Sequence, residues 1–187
     1  MRRIAILLLC VLNIGSIGHS AVSAPLFREP ALVTSAGQSS DLLLARQFFN
    51  KAGVACRAAA HAGADSLAGA RTLVLVVGGS SKGLGQAKDA AGAEQARVAA
   101  LLKKARAQRL PVLCLHIGRE ARRGPLSDPF ITPVVPQAQQ VLVLAGGNKD
   151  GLFGRLAAPA KVPVAEAADY REVVARLGEW FGKTPRK

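Results

Sequence analysis

Residues 72 to 85 read TLVLVVGGSSKGLG, an apolar run that leads directly into a glycine-rich turn with two serines and one lysine. An uninterrupted apolar run is typical of a strand covered on both faces, as in the parallel sheets of α/β proteins. A turn of this composition exposes backbone N–H groups and suits an anion. The stretch therefore predicts a buried parallel strand with a binding turn at its carboxyl end.

The same alternation of apolar runs and helical patterns extends along the chain. Strands are predicted at residues 31–35, 54–59, 72–77, 111–117, 140–145 and 161–165, the run at 54–59 being weaker. Helices are predicted at 41–52, 94–108 and 150–157 and after Asp169, and Arg97 is expected to face water. The alternation predicts a three-layer α/β sandwich with a mostly parallel, doubly wound, flavodoxin- or Rossmann-like sheet of about five strands.

The amino terminus has the pattern of a secretory signal peptide. Met1-Arg2-Arg3 precedes an apolar run from Ile4 to Ile14 and then small residues up to Ala24. The run falls short of the roughly 20 apolar residues that span a bilayer. We therefore expect a signal peptide at 1–24, a single α/β domain at 25–187, no membrane span after cleavage, and a periplasmic or extracellular location.

The chain is strongly basic. It has 25 Lys and Arg against 12 Asp and Glu, a formal net charge of +13, which becomes +11 without Arg2 and Arg3. This balance favours an anionic small molecule, an acidic partner or an anionic membrane face, although simple solubility explains it as well. Nucleic acid is disfavoured, because the basic residues are scattered and only 4% of the residues are aromatic.

Two cysteines, Cys56 and Cys114, follow the predicted signal peptide. Both lie in strand-like runs that a doubly wound sheet separates by other strands, whereas a disulfide requires Cα atoms within roughly 7 Å. We expect two buried free thiols. The sequence contains no familiar metal-ligand spacing, and we expect no metal and no cofactor.

Three further polar turns follow apolar runs, at residues 36–41, 118–124 and 146–150. Strands of a parallel sheet end at one edge, so these turns predict a composite pocket for a small anion. The candidate ligand-binding residues are Gln38, Gly79, Ser80, Ser81, Lys82, Gly83, Gly85, Arg119, Arg122 and Arg123. The plainer interpretation is that the glycines only turn a strand into a helix and that the arginines belong to a solvated loop.

The turn from Gly79 to Gly85 is similar to the cofactor loop of short-chain dehydrogenases, whose GxxxGxG spacing it fits. That family transfers protons with a Tyr-x-x-x-Lys pair. Here the chain has one tyrosine, Tyr170, and Val174 stands in the place of the lysine. This departure argues against dinucleotide-dependent oxidoreduction.

A second hypothesis is an enzyme. His116 ends a predicted strand and could act as an acid or base with Ser127 or Asp128, as in a hydrolase or transferase. A strand-end histidine that is simply hydrogen bonded, and a serine or aspartate that caps a short helix, account for the same residues. A third hypothesis is a non-catalytic partner of an envelope complex or transporter.

The motifs GGSSKGLG, HIGREARRG, SDPFI and KDGLF, together with the amino-terminal leader, resemble those of a family of exported bacterial proteins classed only as a domain of unknown function. The resemblance covers residues 30 to about 165. It implies a compact α/β domain outside the cytoplasm and implies no activity.

Overall fold

A six-stranded, all-parallel sheet forms the centre of the molecule. The computed structural model describes residues 25–85 and 90–183, so the predicted signal peptide at 1–24 lies outside the described residues. The strands are β1 (Ala31–Ala36), β2 (Cys56–Ala58), β3 (Thr72–Val77), β4 (Val112–His116), β5 (Gln140–Leu144) and β6 (Val164–Ala167). Their order across the sheet is β2-β1-β3-β4-β5-β6.

Helices cover both faces of this sheet. They are α1 (Asp41–Lys51), α2 (Ser81–Leu84), α3 (Ala90–Ala107), α4 (Asp128–Ile131), α5 (Leu152–Ala157) and α6 (Tyr170–Trp180). Short 3-10 turns occupy Ala64–Leu67, Glu120–Arg122, Val135–Gln137 and Ala158–Ala160. Helices α1 and α6 pack on one face, and α3, α4 and α5 pack on the other. In the described residues no helix is both long and apolar enough to cross a bilayer.

Strand β3 shows how the apolar run divides between the two cores. Leu73, Leu75 and Val77 pack under α3, whereas Val74 and Val76 pack under α1 and α6. Successive side chains of a strand point to opposite faces, so a strand covered on both sides must be apolar throughout. The predicted three-layer α/β sandwich with a parallel, doubly wound sheet is thereby confirmed.

The sheet has six strands where about five were expected, and the two edge strands are the shortest. Strand β2 has 3 residues and β6 has 4. The last strand was predicted at 161–165 and begins instead at Val164, because Lys161 has a left-handed backbone (φ 53°) that a strand cannot contain. Short edges offer few unpaired backbone groups to another chain.

The two cysteines are free, as predicted. Cys56 lies in β2 and Cys114 in β4, with β1 and β3 between them. Cys114 is fully buried, and burial raises the pKa of its thiol. Cys56 is only half-buried, so the expectation of two buried thiols holds for Cys114 alone.

Strand order reverses between β1 and β3. The chain passes from β1 outward to β2, and then from β3 through β4 and β5 to β6 in the other direction. In open α/β sheets, the connections that follow the two strands at such a switch point run in opposite directions. A crevice therefore forms between the carboxyl ends of these strands. The turns after β1 and β3 are therefore the first place to look for a site.

Candidate functional site

The turns after four strands meet at the carboxyl edge of the sheet. The turn after β1 pairs with the turn after β3 through an isolated bridge between Gln38 and Gly79, and Ser80 N donates to the carbonyl of Gly37 at 2.9 Å. Arg122, after β4, reaches the carbonyl of Gly79 at 3.2 Å. Arg123 then links the turn after β4 to the turn after β5 through the carbonyl of Gly147.

Glycines make these close contacts possible. A Cβ on Gly79 would lie 2.3 Å from the carbonyl oxygen of Leu126, and one on Gly83 would lie 2.3 Å from that of Gln38. Real Cβ atoms do not approach backbone so closely, so a side chain at either position would push the turns apart. The glycines therefore allow the close approach of the protein's own backbone, in agreement with the interpretation that they only turn a strand into a helix.

Most N–H groups of the glycine-rich turn are bonded within the protein. Gly79 N donates to Ser127 Oγ at 2.9 Å, and Gly83 N donates to Ser80 Oγ at 3.1 Å. Gly85 N donates to the carbonyl of Ser81 at 3.1 Å. This corrects the expectation that the turn offers a row of free N–H groups, because tertiary and capping partners satisfy them. The side chains of Ser81 and Lys82 are exposed.

Glu94 on α3 is a buried carboxylate that sequence reasoning did not select. Its Oε1 accepts from Gly37 N at 3.0 Å, its Oε2 accepts from Gln38 Nε2 at 2.5 Å, and Arg97 donates to both oxygens. Burial raises the pKa of Glu94, but the hydrogen bonds from Arg97 and Gly37 outweigh it and hold the pKa below its ordinary value. Glu94 is therefore ionised and fixes the turn after β1 against α3.

Arg97 was expected to face water and is instead mostly buried, with 15% of its side chain exposed. Besides Glu94, it donates to the carbonyls of Ser35 at 2.5 Å and Ala62 at 2.7 Å. The signal available in the sequence was the spacing of Glu94 and Arg97, an acid and a base three residues apart on an alanine-rich helix, which predicts that they interact. The sequence could not show that the helix face carrying this pair lies against the turn after β1.

A groove of about 290 Å³ opens beside this ion pair. We call it the switch-point groove, and it lies at the carboxyl ends of β1 and β3. It is lined by Gln38, His61, Gly83, Leu84, Ala90, Ala93, Glu94 and Arg97. The exposed Lys82 neighbours its wall at Gly83, and residues 86–89, which connect α2 to α3, lie outside the described part of the chain.

Arg123 is a structural clamp between the turns after β4 and β5. Its guanidinium donates to Asp128 at 3.0 Å and to both oxygens of Asp150 at 3.0 and 2.9 Å, and it lies 5.4 Å from the ring of Phe153. Burial lowers the pKa of Arg123, but the hydrogen bonds and charges of Asp150 and Asp128 outweigh this effect and hold the pKa above its ordinary value. Arg123 in turn lowers the pKa of Asp150 to about 2.

With 9% of its side chain exposed, Arg123 has its N–H groups directed at Asp128, Asp150 and Gly147. A second groove, of about 200 Å³, surrounds this cluster. Because the clamp already occupies the forked donors, this groove offers an incoming anion little free positive charge.

The other two predicted arginines differ from each other. Arg122 is half-buried among the turns, where its Nε lies 3.8 Å from Asp41 Oδ2, a buried oxygen with no hydrogen-bond partner in the described residues. Arg119 is exposed, and its guanidinium lies 5.8 Å above the ring of Tyr170. The two side chains therefore face different parts of the carboxyl edge.

His116 is fully buried at the end of β4 and lines neither of these two grooves. Its ring nitrogens lie 3.1 Å from the carbonyl of Val77 and 2.9 Å from that of Arg119, and a neutral ring can donate to only one of them. Burial lowers the pKa of His116, although the two carbonyls act in the opposite direction. This agrees with the interpretation of His116 as a structural, hydrogen-bonded residue.

The candidate partners of His116 are also engaged elsewhere. Ser127 Oγ accepts from Gly79 N, and Asp128 accepts from Arg123 and from Gly124 N. Ser127 or Asp128 was expected to cap a short helix. Ser127 does occupy the N-cap position of α4, but its hydroxyl makes no cap hydrogen bond. Among the described residues no hydrogen bond joins His116 to Ser127 or Asp128, and no group of three or more His, Cys, Asp or Glu could hold a metal ion.

Comparison with known protein families identifies the family of this chain. The sequence model of the family described as "Domain of unknown function (DUF6305)" matches residues 28–181, and the chain belongs to this family. The match confirms the resemblance to a domain of unknown function, and the matched range extends beyond residues 30 to about 165 at both ends. No curated protein matches the chain.

Proposed function

We propose that this member of the DUF6305 family is an exported protein that binds a small anionic molecule in the switch-point groove. The observation that supports the proposal most directly is the position of the groove. It lies outside the carboxyl ends of β1 and β3, where the strand order reverses, and doubly wound sheets bind their ligands at such points.

The chemistry around the groove supports a small polar ligand. Gln38 presents an amide whose nitrogen is held by Glu94, which leaves the amide oxygen as an acceptor. His61 is exposed and also lines the groove. The charge of Glu94 is compensated by Arg97, so the wall does not repel an anion through a lone carboxylate.

Lys82 supplies the positive charge in this proposal. It is exposed on α2, it makes no ion pair within the described residues, and its neighbour Gly83 forms part of the wall. The excess of basic residues over the whole chain adds a long-range attraction for anions. Ser81 provides a hydroxyl beside the lysine.

Titration calorimetry with inorganic phosphate, succinate and glucuronate tests the proposal. We expect at least one of these anions to bind, and Lys82→Ala to weaken its binding about fivefold, because an exposed charge contact contributes about 1 kcal/mol or less. The matched control is Lys51→Ala, which removes an exposed lysine from the last turn of α1 at the other edge of the sheet and leaves the affinity unchanged. Equal affinities for Lys82→Ala and the unaltered protein would contradict the assignment.

Export rests on the leader at residues 1–24. Fractionation of bacterial cells that express the full chain should recover the protein outside the cytoplasm, with the leader removed. Deletion of residues 2–24 should leave the protein in the cytoplasm. Cytoplasmic recovery of the full chain would contradict export and would leave the anion-binding proposal standing.

A further inference from the structure

A third groove lies at the opposite, amino edge of the sheet. It has a volume of about 320 Å³ and occupies the space between the end of α3, the start of β4 and the segment that leads into β5. We call it the amino-edge groove. It is lined by Leu102, Arg106, Arg109, Leu110, Pro111, Val112, Gln137 and Gln139.

The floor of the amino-edge groove is apolar and belongs to a packed core. Leu102 and Val112 are 3% and 4% exposed and belong to the core beneath α3, and Leu110 packs against that core. The two glutamines are already positioned, since Gln137 Oε1 accepts from Arg106 at 3.0 Å and Gln139 Oε1 accepts from Val112 N. The groove therefore combines a preformed apolar surface with polar groups at its rim, as small-molecule sites do.

Arg109 is the feature of the rim that the fold does not require. It lies just past α3 with a left-handed backbone (φ 53°), in a helix-ending motif in which Leu110 N donates to the carbonyl of Ala105 at 2.9 Å. Glycine is the residue favoured at this position, because a Cβ disfavours the left-handed conformation. Here the position carries an exposed cation, and no described residue accepts a hydrogen bond from its guanidinium.

The surroundings of this rim are positive. No acidic residue occurs in the sequence between Glu94 and Glu120, whereas Lys103, Lys104 and Arg106 are exposed on the last turns of α3. Arg71 immediately precedes the adjacent strand β3, whose Leu73 N donates to the carbonyl of Pro111. An anion that enters the groove therefore meets two arginines and no carboxylate from these elements.

We propose that the amino-edge groove binds a small amphiphilic anion, that is, a compact apolar body with one carboxylate or phosphate head. The apolar body packs on Leu102, Leu110 and Val112, and the head accepts hydrogen bonds from Arg109 and Arg106. This site is separate from the switch-point groove and does not depend on it, because the two lie at opposite edges of the sheet.

The volume and the lining residues of the groove favour a small molecule over a membrane surface. The groove lies near the lower end of the roughly 300–1,000 Å³ range of ligand pockets. The large apolar side chains that stand exposed in the described chain are Leu26, Leu43, Leu126 and Tyr170. Since none of them lines the groove, this edge offers little for insertion among lipid chains.

Titration with hexanoate, acetate and hexanol, followed by methyl NMR shifts of Leu102, Leu110 and Val112, tests the proposal. Hexanoate has both the apolar body and the charge, acetate lacks the body, and hexanol lacks the charge. We expect hexanoate to bind at least tenfold more tightly than either of the others and to shift these methyl groups. Equal affinity for hexanoate and hexanol, or shifts confined to the carboxyl edge, would overturn the proposal.

Arg109→Gly is the decisive variant because the glycine suits the left-handed backbone and the fold is retained. We expect it to weaken hexanoate binding at least fivefold while the melting temperature stays the same or rises. Lys161→Gly is the matched control, since Lys161 is another exposed cation with a left-handed backbone (φ 53°) and lies outside the groove. The affinity of this variant for hexanoate should stay within twofold of that of the unaltered protein. Equal weakening in both variants would show a general charge effect and overturn the proposal.

Two further measurements are needed. The first distinguishes a free small molecule from a lipid surface as the source of the anion, and the second distinguishes the two proposed sites. Sedimentation with anionic phosphatidylglycerol vesicles should show no Arg109-dependent binding. Binding to these vesicles but not to hexanoate would replace the small-molecule proposal with a lipid surface. Lys82→Ala should leave hexanoate binding unchanged, so that failure of the switch-point proposal and failure of this one are distinguishable.

Discussion

The two edges of the sheet use their basic residues differently. At the carboxyl edge, Arg97, Arg122, Arg123 and Lys149 each lie within ion-pair distance of a carboxylate. At the amino edge, the cations that precede the strands are Arg28, Arg71, Arg109 and Lys161, and none of them forms an ion pair within the described residues. Lys183 and Glu29 make the one ion pair found near β1 at that edge in the described chain.

The physical reason lies in the helices. In a parallel α/β fold the helices begin at the carboxyl edge and end at the amino edge. Their dipoles favour acids at the first edge, such as Asp41 in the first turn of α1, and cations at the second, such as Lys51 in its last turn. Arg97, Arg122 and Arg123 at the carboxyl edge therefore meet carboxylates and become structural, whereas Arg119 there has no ion pair in the described residues. Arg71, Arg109 and Lys161 at the amino edge have no such partners among the described residues and remain available.

The largest effect that this contrast predicts is the loss of stability in Glu94→Ala. The substitution leaves the mostly buried guanidinium of Arg97 without its carboxylate and Gly37 N without its acceptor. We expect a loss of about 3–5 kcal/mol in the free energy of unfolding, measured by urea denaturation. A loss below about 1 kcal/mol would show that this pair does not hold the carboxyl edge together.

Gly79→Ala should have the next largest effect. Its Cβ would lie 2.3 Å from the carbonyl oxygen of Leu126, a backbone atom that cannot move aside without shifting the turn. We expect a loss of about 1–3 kcal/mol by urea denaturation. Gly63→Ala is the matched control, because a Cβ there meets nothing within 4 Å and its stability should change by less than about 0.5 kcal/mol.

The buried histidine of the carboxyl edge predicts a pH dependence of stability. Burial lowers the pKa of His116 in the folded protein below the ordinary value of about 6.5 that it has when unfolded. The unfolded chain therefore binds more protons as the pH falls through 6.5, and stability decreases from pH 7.5 to pH 5.5. Urea denaturation of the unaltered protein and of His116→Gln measures this, and an equal slope in both would contradict it.

Arg71→Gln at the amino edge should have the smallest effect. Arg71 is exposed and has no ion-pair partner among the described residues, so its removal disturbs no partner in the fold. We expect a change within about 0.5 kcal/mol in the free energy of unfolding. A loss comparable to that of Glu94→Ala would remove the difference between the edges.

Much of the fold could be predicted because its signals are local. The apolar run of β3 was predicted at its observed bounds, Thr72–Val77. Asp169 accepts from Glu172 N at 2.9 Å at the start of α6, as the predicted helix start requires. The short edge strand β2 was harder to predict, because its 3 residues are too few to show a clear hydrophobic pattern.

The sequence alone placed the polar turns at one edge, because parallel strands end together and the alternation of apolar runs and helices fixes parallel pairing. Only the tertiary structure decided which polar groups remain free at that edge. Gly79 N is bonded by Ser127, 48 residues away, and Gly37 N by Glu94, 57 residues away. Hydrogen-bond partners so distant along the chain leave no local pattern, and they turn most of the predicted binding groups into structural ones.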